Sequence, residues 1–138
     1  MIQTLRLTPP DGLSVRLEDA VPTPHELPMA VALESASDPS SLIFWSNPSA
    51  GVTGIFHRLG RTAWPDARII RIHAIVLRPD AGPGAAGLEL VLDDGSELPV
   101  LISRPFREEF AEWLESAAPE LEDFLGLQVQ WKDYGGDR

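Results

Sequence analysis

Arg58, Arg61, Trp64, Arg71 and His73 are the side chains whose types and spacing could do chemistry together. Guanidinium groups bind carboxylates and phosphates through paired N–H donors, an imidazole adds a titratable donor, and an indole offers a flat apolar anchor. That is the chemistry of binding rather than turnover. Residues 52–78 hold five arginines against the single acid Asp66, so a segment of net charge +4 lies within a chain of net charge −10. One reading pairs these arginines, on outward strand faces, with an acidic helix further along. The other makes them a basic patch that receives an anion or an acidic protein. The two-residue period of a strand places Arg71 and His73 on one face. Trp64, beside Pro65, reads as a turn residue and an interface anchor.

The remaining motifs fail on context. Gly82-Pro83-Gly84-Ala85-Ala86-Gly87 spells a dinucleotide fingerprint, but such glycines must open a helix, and a strand pattern begins at Leu88. His25, His57 and His73 have no ligand-like spacing, so no metal site is expected. No nucleophile elbow or phosphate-binding loop is present, and no catalytic residue or cofactor is assigned. Glu108, Glu109, Glu112 and Glu115 read as the solvated face of a helix. Core packing is expected for Trp113 and Trp131.

The elements that must position these residues are mostly strands. Leu88, Leu90 and Leu92 alternate, as do Leu98, Val100 and Ile102, and Asp93-Asp94-Gly95 lies between them. Matching the apolar faces requires a three-residue loop, with Leu90 opposite Leu98, Leu88 opposite Val100 and Gly95 in the left-handed conformation. Pro99 has no N–H, so an edge or a bulge is expected there. Ser103 reads as the cap of a helix with Pro105 in its first turn, and Phe106, Phe110, Trp113, Leu114 and Ala117 form its apolar stripe.

Upstream, Leu5 and Leu7 face Leu13 and Val15 in an expected hairpin about Pro9-Pro10-Asp11-Gly12. The prolines of residues 20–28 imply a loop carrying His25 and Glu26. Residues 29–33 and 42–45 read as buried strands. Residues 52–59 fit a helix or a strand, with a strand at 55–59 preferred because Gly51 and Gly54 weaken a helix. Residues 68–78 form a long strand with Ile70, Ile72, Ala74 and Val76 on one face; the other, with Ile69, Arg71, His73, Ile75 and Leu77, is too apolar to lie fully in water. After residue 118, Pro119 starts a short second helix ended by Gly126, a last strand carries Leu127, Val129 and Trp131, and residues 135–138 fray.

At 138 residues the chain reads as one α+β, mainly β domain. The absence of cysteine removes disulfides and thiolate chemistry. Its acidity opposes nucleic-acid binding, no transmembrane segment is evident, and the cytoplasm is the default compartment.

Trp64-Pro65-Asp66-Ala67-Arg68-Ile69-Ile70-Arg71-Ile72, a loop, Leu88-Glu89-Leu90-Val91-Leu92-Asp93-Asp94-Gly95 and the amphipathic helix resemble bacterial pleckstrin-homology-like domains over about residues 54–118. The resemblance implies a strongly bent antiparallel sheet, or partly open barrel, capped by the C-terminal helix, with a short helix and strand added after residue 118. It also implies a scaffold for binding or assembly. The expected function is therefore a non-enzymatic module recognising a protein or anionic partner through Arg58, Arg61, Trp64, Arg71 and His73, with self-association left open. The alternative is a small acidic antagonist or immunity-type protein that binds a basic partner through the helix glutamates. A hydrolase with a composite cleft ranks last.

Overall fold

The computed structural model describes residues 1–17, 27–58, 60–65, 68–79, 82–103 and 106–133. His25, Leu59, Asp66, Pro105 and the expected fraying at 135–138 lie outside them. The chain is mainly β, with two sheets and two helices, and no closed barrel forms among the described residues. One sheet has the order β1 (Gln3–Leu7), β3 (Leu42–Asn47), β4 (Val52–His57) and β5 (Gly60–Pro65). The other runs β2 (Ser14–Val15), β8 (Glu97–Ser103), β7 (Ala85–Leu92), β6 (Ile69–Leu77) and β9 (Val129–Asp133). Neighbours are antiparallel except β9, which runs parallel to β6.

The expected hairpin at the start does not form. β1 pairs with β3, setting Leu7 beside Leu42, while β2 pairs with β8, setting Val15 beside Leu101. Pro9 and Pro10 cannot donate to a ladder, and the turn in which the Leu13 amide donates to the Pro10 carbonyl carries the chain from one sheet to the other. Face matching alone could not separate these outcomes. Leu7, Leu13 and Val15 are buried in both.

The β7–β8 hairpin follows its apolar pattern more closely. Leu90 faces Leu98, the Leu92 amide donates to the Ser96 carbonyl, and Gly95 has φ +87°, giving the expected three-residue loop. Asp94 fastens this loop. Its Oδ1 accepts from the Ser96 amide and hydroxyl, and these bonds hold its carboxyl below the usual value of 3.8. The register shifts between Leu88 and Glu89, so Leu88 faces Leu101 rather than Val100. This irregularity sits at the Glu89–Pro99 pair, where a bulge relieves the missing N–H of Pro99. A second shift, between Ile69 and Arg71, buries Ile69 and turns Ile70 outward, opposite to its expected face.

Residues 29–33 are helical rather than extended. They open α1 (Met29–Ser37), in which Met, Ala, Leu and Glu favour a helix and the extended Pro28 is its N-cap. Val31 and Ser35, four residues apart, are its buried positions. Val31 joins Ile43, Trp45 and Val52 in a small cluster on the outer face of the four-stranded sheet.

Between the sheets lies the main core. Leu42, Phe44, Ile55 and Trp64 come from one sheet, Ile72, Leu88, Leu90 and Leu101 from the other, and Phe110, Leu114 and Leu121 from α2 (Glu108–Leu125). α2 packs against β1 of one sheet and β6, β7 and β9 of the other. It starts later than expected. Arg107 is its N-cap, Ser103 belongs to β8, and Phe106 precedes the helix, where its amide donates to the Pro83 carbonyl and Arg78 lies 5.1 Å over its ring.

α2 also runs through Pro119 rather than restarting there. Interior proline costs about 3 kcal/mol, but Leu114, Ala117, Ala118 and Leu121 form one buried stripe across it, and their packing outweighs the lost hydrogen bond. Pro119 itself is exposed. Pro119→Ala is therefore expected to raise stability by about 1–2 kcal/mol, measured as an increased urea midpoint at constant slope; a lowered midpoint would contradict this account of the helix. Gly126, with φ +69°, ends α2 as the sequence suggests.

Candidate functional site

The structure divides the sequence-predicted site into two places. Arg58 and Arg61 belong to the β4–β5 hairpin, Arg58 in the turn and Arg61 in β5. Arg61 pairs with Phe56 on the outer face of the four-stranded sheet, and β5 ends that sheet. Both arginines are exposed and neither makes an ion pair among the described residues. Arg58 and His57 also line a groove of about 220 Å³ against the Pro9–Val15 corner and Ser40. A larger depression of about 530 Å³ is lined by Gly12, Ser14, Arg16, Pro99, Ile102 and Ser103. The two share Gly12 and Ser14, so the corner separates one basic rim from another.

Trp64 is not in a turn. It lies in β5 opposite Thr53, faces the main core and is only 8% exposed. The strand continues through Trp64 to Pro65, which occupies the free end of an edge strand where its missing donor costs no ladder bond. Trp131 departs the other way: it is 45% exposed on the outermost strand. Trp113 is half-buried against the core.

The arginine-to-helix pairing holds for Arg78, which binds Glu108. Arg68 instead reaches Asp93 and Asp94, each at 3.2 Å.

Arg71 and His73 share the outer face of β6, as their spacing requires, in the five-stranded sheet. Arg71 is exposed and His73 is buried. What covers His73 is a set of charged groups from three neighbouring strands. Its Nδ1 is 3.1 Å from Glu89 Oε1 in β7 and 4.0 Å from Glu97 Oε2 in β8. Lys132 Nζ in β9 stands 3.4 Å from the same Glu89 oxygen and 3.3 Å from the same Glu97 oxygen. An ionised carboxylate can only accept, so beside ionised Glu89 it is the Nδ1–H form of His73 that makes this bond.

Register explains the assembly. His73 is directly opposite Glu89, Val91 is opposite Glu97, and the parallel pairing of β9 sets Lys132 beside Ile75. All project to the side away from Ile72, Leu88 and Leu90. Glu89 between Leu88 and Leu90 was a readable signal of an outward acid in an otherwise apolar strand. Lys132 had none, because its place depends on a parallel crossover that follows α2.

No helix among the described residues is long and apolar enough to cross a membrane. No protein-family model matches the chain, and no curated protein matches its sequence.

Proposed function

We propose that this chain is a non-enzymatic binding module of pleckstrin-homology-like type, and that it receives an acidic protein partner at the β4–β5 hairpin. The fold reading is supported by chain order. Apart from the short strand β2, a four-stranded sheet is followed by three consecutive antiparallel strands, β6, β7 and β8, and then by a helix packed against both sheets. The two sheets are read as halves of a strongly bent, partly open barrel capped by α2.

The function rests on one observation. In a chain of net charge −10, Arg58 and Arg61 stand exposed on one edge hairpin with no ion pair among the described residues. Repulsion elsewhere on the surface keeps unselected anions away, while two guanidinium forks on an open strand edge give an acidic segment both charge and backbone partners. The Arg58→Glu/Arg61→Glu double variant is expected to lose at least about tenfold in affinity for the partner recovered by crosslinking in cells, and the wild-type complex to weaken steeply with salt. Arg71→Glu, on the other sheet, should leave affinity unchanged. A folded double variant that binds as tightly as wild type would overturn the assignment.

One observation favours a second reading. Glu112 and Glu115 are exposed on α2 and unpaired among the described residues, whereas Glu108 and Glu109 are held by Arg78 and Arg107. A basic partner of an immunity-type protein would engage those two glutamates. Glu112→Lys/Glu115→Lys would then abolish binding that the arginine variant keeps.

A further inference from the structure

We infer that His73, Glu89 and Glu97 form a binding site for a divalent first-row transition-metal ion, with Lys132 as a built-in competing cation. The donors come from three adjacent strands of one sheet, which fixes their backbones before any ion arrives. His73 Nδ1 and one oxygen from each glutamate all lie within 4.8 Å of one another. Donors around a single ion at about 2.0–2.2 Å are separated by roughly 2.8–3.6 Å from octahedral to tetrahedral geometry. The 3.1 Å between His73 and Glu89 already falls in that range, and the 4.0 Å to Glu97 needs only a small rotation of an exposed side chain. One imidazole with two carboxylates is a donor set suited to zinc, manganese, iron or cobalt.

The second observation is how Lys132 sits. Its ammonium lies between the two carboxylates, so the fold itself places a positive charge there. Its separations of 3.4 and 3.3 Å are longer than the roughly 2.7–2.9 Å of a tight charge-assisted bond, so it is a loose counterion to both. The side chain is 28% exposed and can swing its charged end into water on its flexible stem. Two carboxylates face a single ammonium across the cluster. A divalent ion would bring two positive charges and directional bonds where the ammonium brings one. When it binds, the ring proton moves from Nδ1 to Nε2 by exchange with solvent, which frees the Nδ1 lone pair as a ligand, and Lys132 leaves.

This inference is independent of the arginine hairpin, which lies on the other sheet. Zinc titrated by calorimetry into the full chain, freed of metal by chelator, is expected to bind with one-to-one stoichiometry and to raise Tm. Glu97→Gln replaces a partly exposed side chain and should preserve the fold while weakening binding at least about tenfold, since even the loss of an outer-shell partner of a ligand costs about 10–100-fold. His73→Ala should abolish binding. Lys132→Gln should tighten it by about tenfold, because it removes a unit charge about 3–4 Å from the carboxylate oxygens. Absence of saturable zinc binding to the wild-type chain would overturn the inference. So would binding of equal strength in folded Glu97→Gln, which would locate the ion elsewhere.

Discussion

Phe110→Ala is expected to destabilise the protein by about 3–5 kcal/mol, the range for emptying an aromatic site in a core that cannot collapse. Phe110 is fully buried. It comes from α2, which packs against strands of both sheets, and it belongs to the core that they share. A β-carbon built on Gly12, at the corner between β1 and β2, would stand 3.1 Å from its ring, and the Arg107 guanidinium lies 5.1 Å over the ring centroid. The ring is therefore held by the helix, the corner and the core together. Truncation leaves space that several rigid elements border, so relaxation is limited. Urea unfolding followed by tryptophan fluorescence would measure the loss; a change under about 1 kcal/mol would mean that the site closes up and that α2 is not a structural plug.

Gly54→Ala is expected to cost about 3 kcal/mol, through overpacking rather than a cavity. Gly54 in β4 is directly opposite Trp45 in β3. A β-carbon at Gly54 would meet the Trp45 indole at 2.3 Å, far inside contact distance. Trp45 has little freedom to yield, since it is buried with Val31, Ile43 and Val52 beneath α1. Its indole Nε1 is also buried without a hydrogen-bond partner among the described residues. The missing side chain at Gly54 thus makes room for a ring that the outer cluster needs. The companion variant Gly54→Ala/Trp45→Leu separates steric from intrinsic effects. It should recover part of the loss, and a double variant whose penalties simply add would refute the steric cause.

Gly54 illustrates where the sequence was legible and where it was not. It counted against a helix at residues 52–59, and the strand is there, but nothing local indicated the ring that lies over it. The β7–β8 hairpin could be read because apolar alternation, Gly95 and Pro99 all constrain the same register. Residues 29–33 misled because a short apolar run suits a strand or a buried helix face equally, and only the helix-favouring composition through Ser37 distinguishes them. Pro119 misled because local backbone preference yields to a continuous buried stripe. Alternation at Leu5–Leu7 and Leu13–Leu17 specified buried faces, not partners.

For the candidate sites, the two-residue period joined Arg71 to His73 correctly, and local sequence kept Arg58 near Arg61. It could not show that the pairs lie on different sheets. Glu89, Glu97 and Lys132 reach His73 through pairings between β6, β7, β8 and β9, two of them shifted by bulges. No short motif encodes such a meeting.

The chain's passage between sheets at Pro9–Gly12 bears on how the molecule reaches this state. Val15 pairs with Leu101 across more than half the length of the chain, and closing so long a loop is entropically slow. Refolding should accordingly be a matter of milliseconds to seconds, with β6, β7 and β8 meeting early and the opening segment stitching the halves together last.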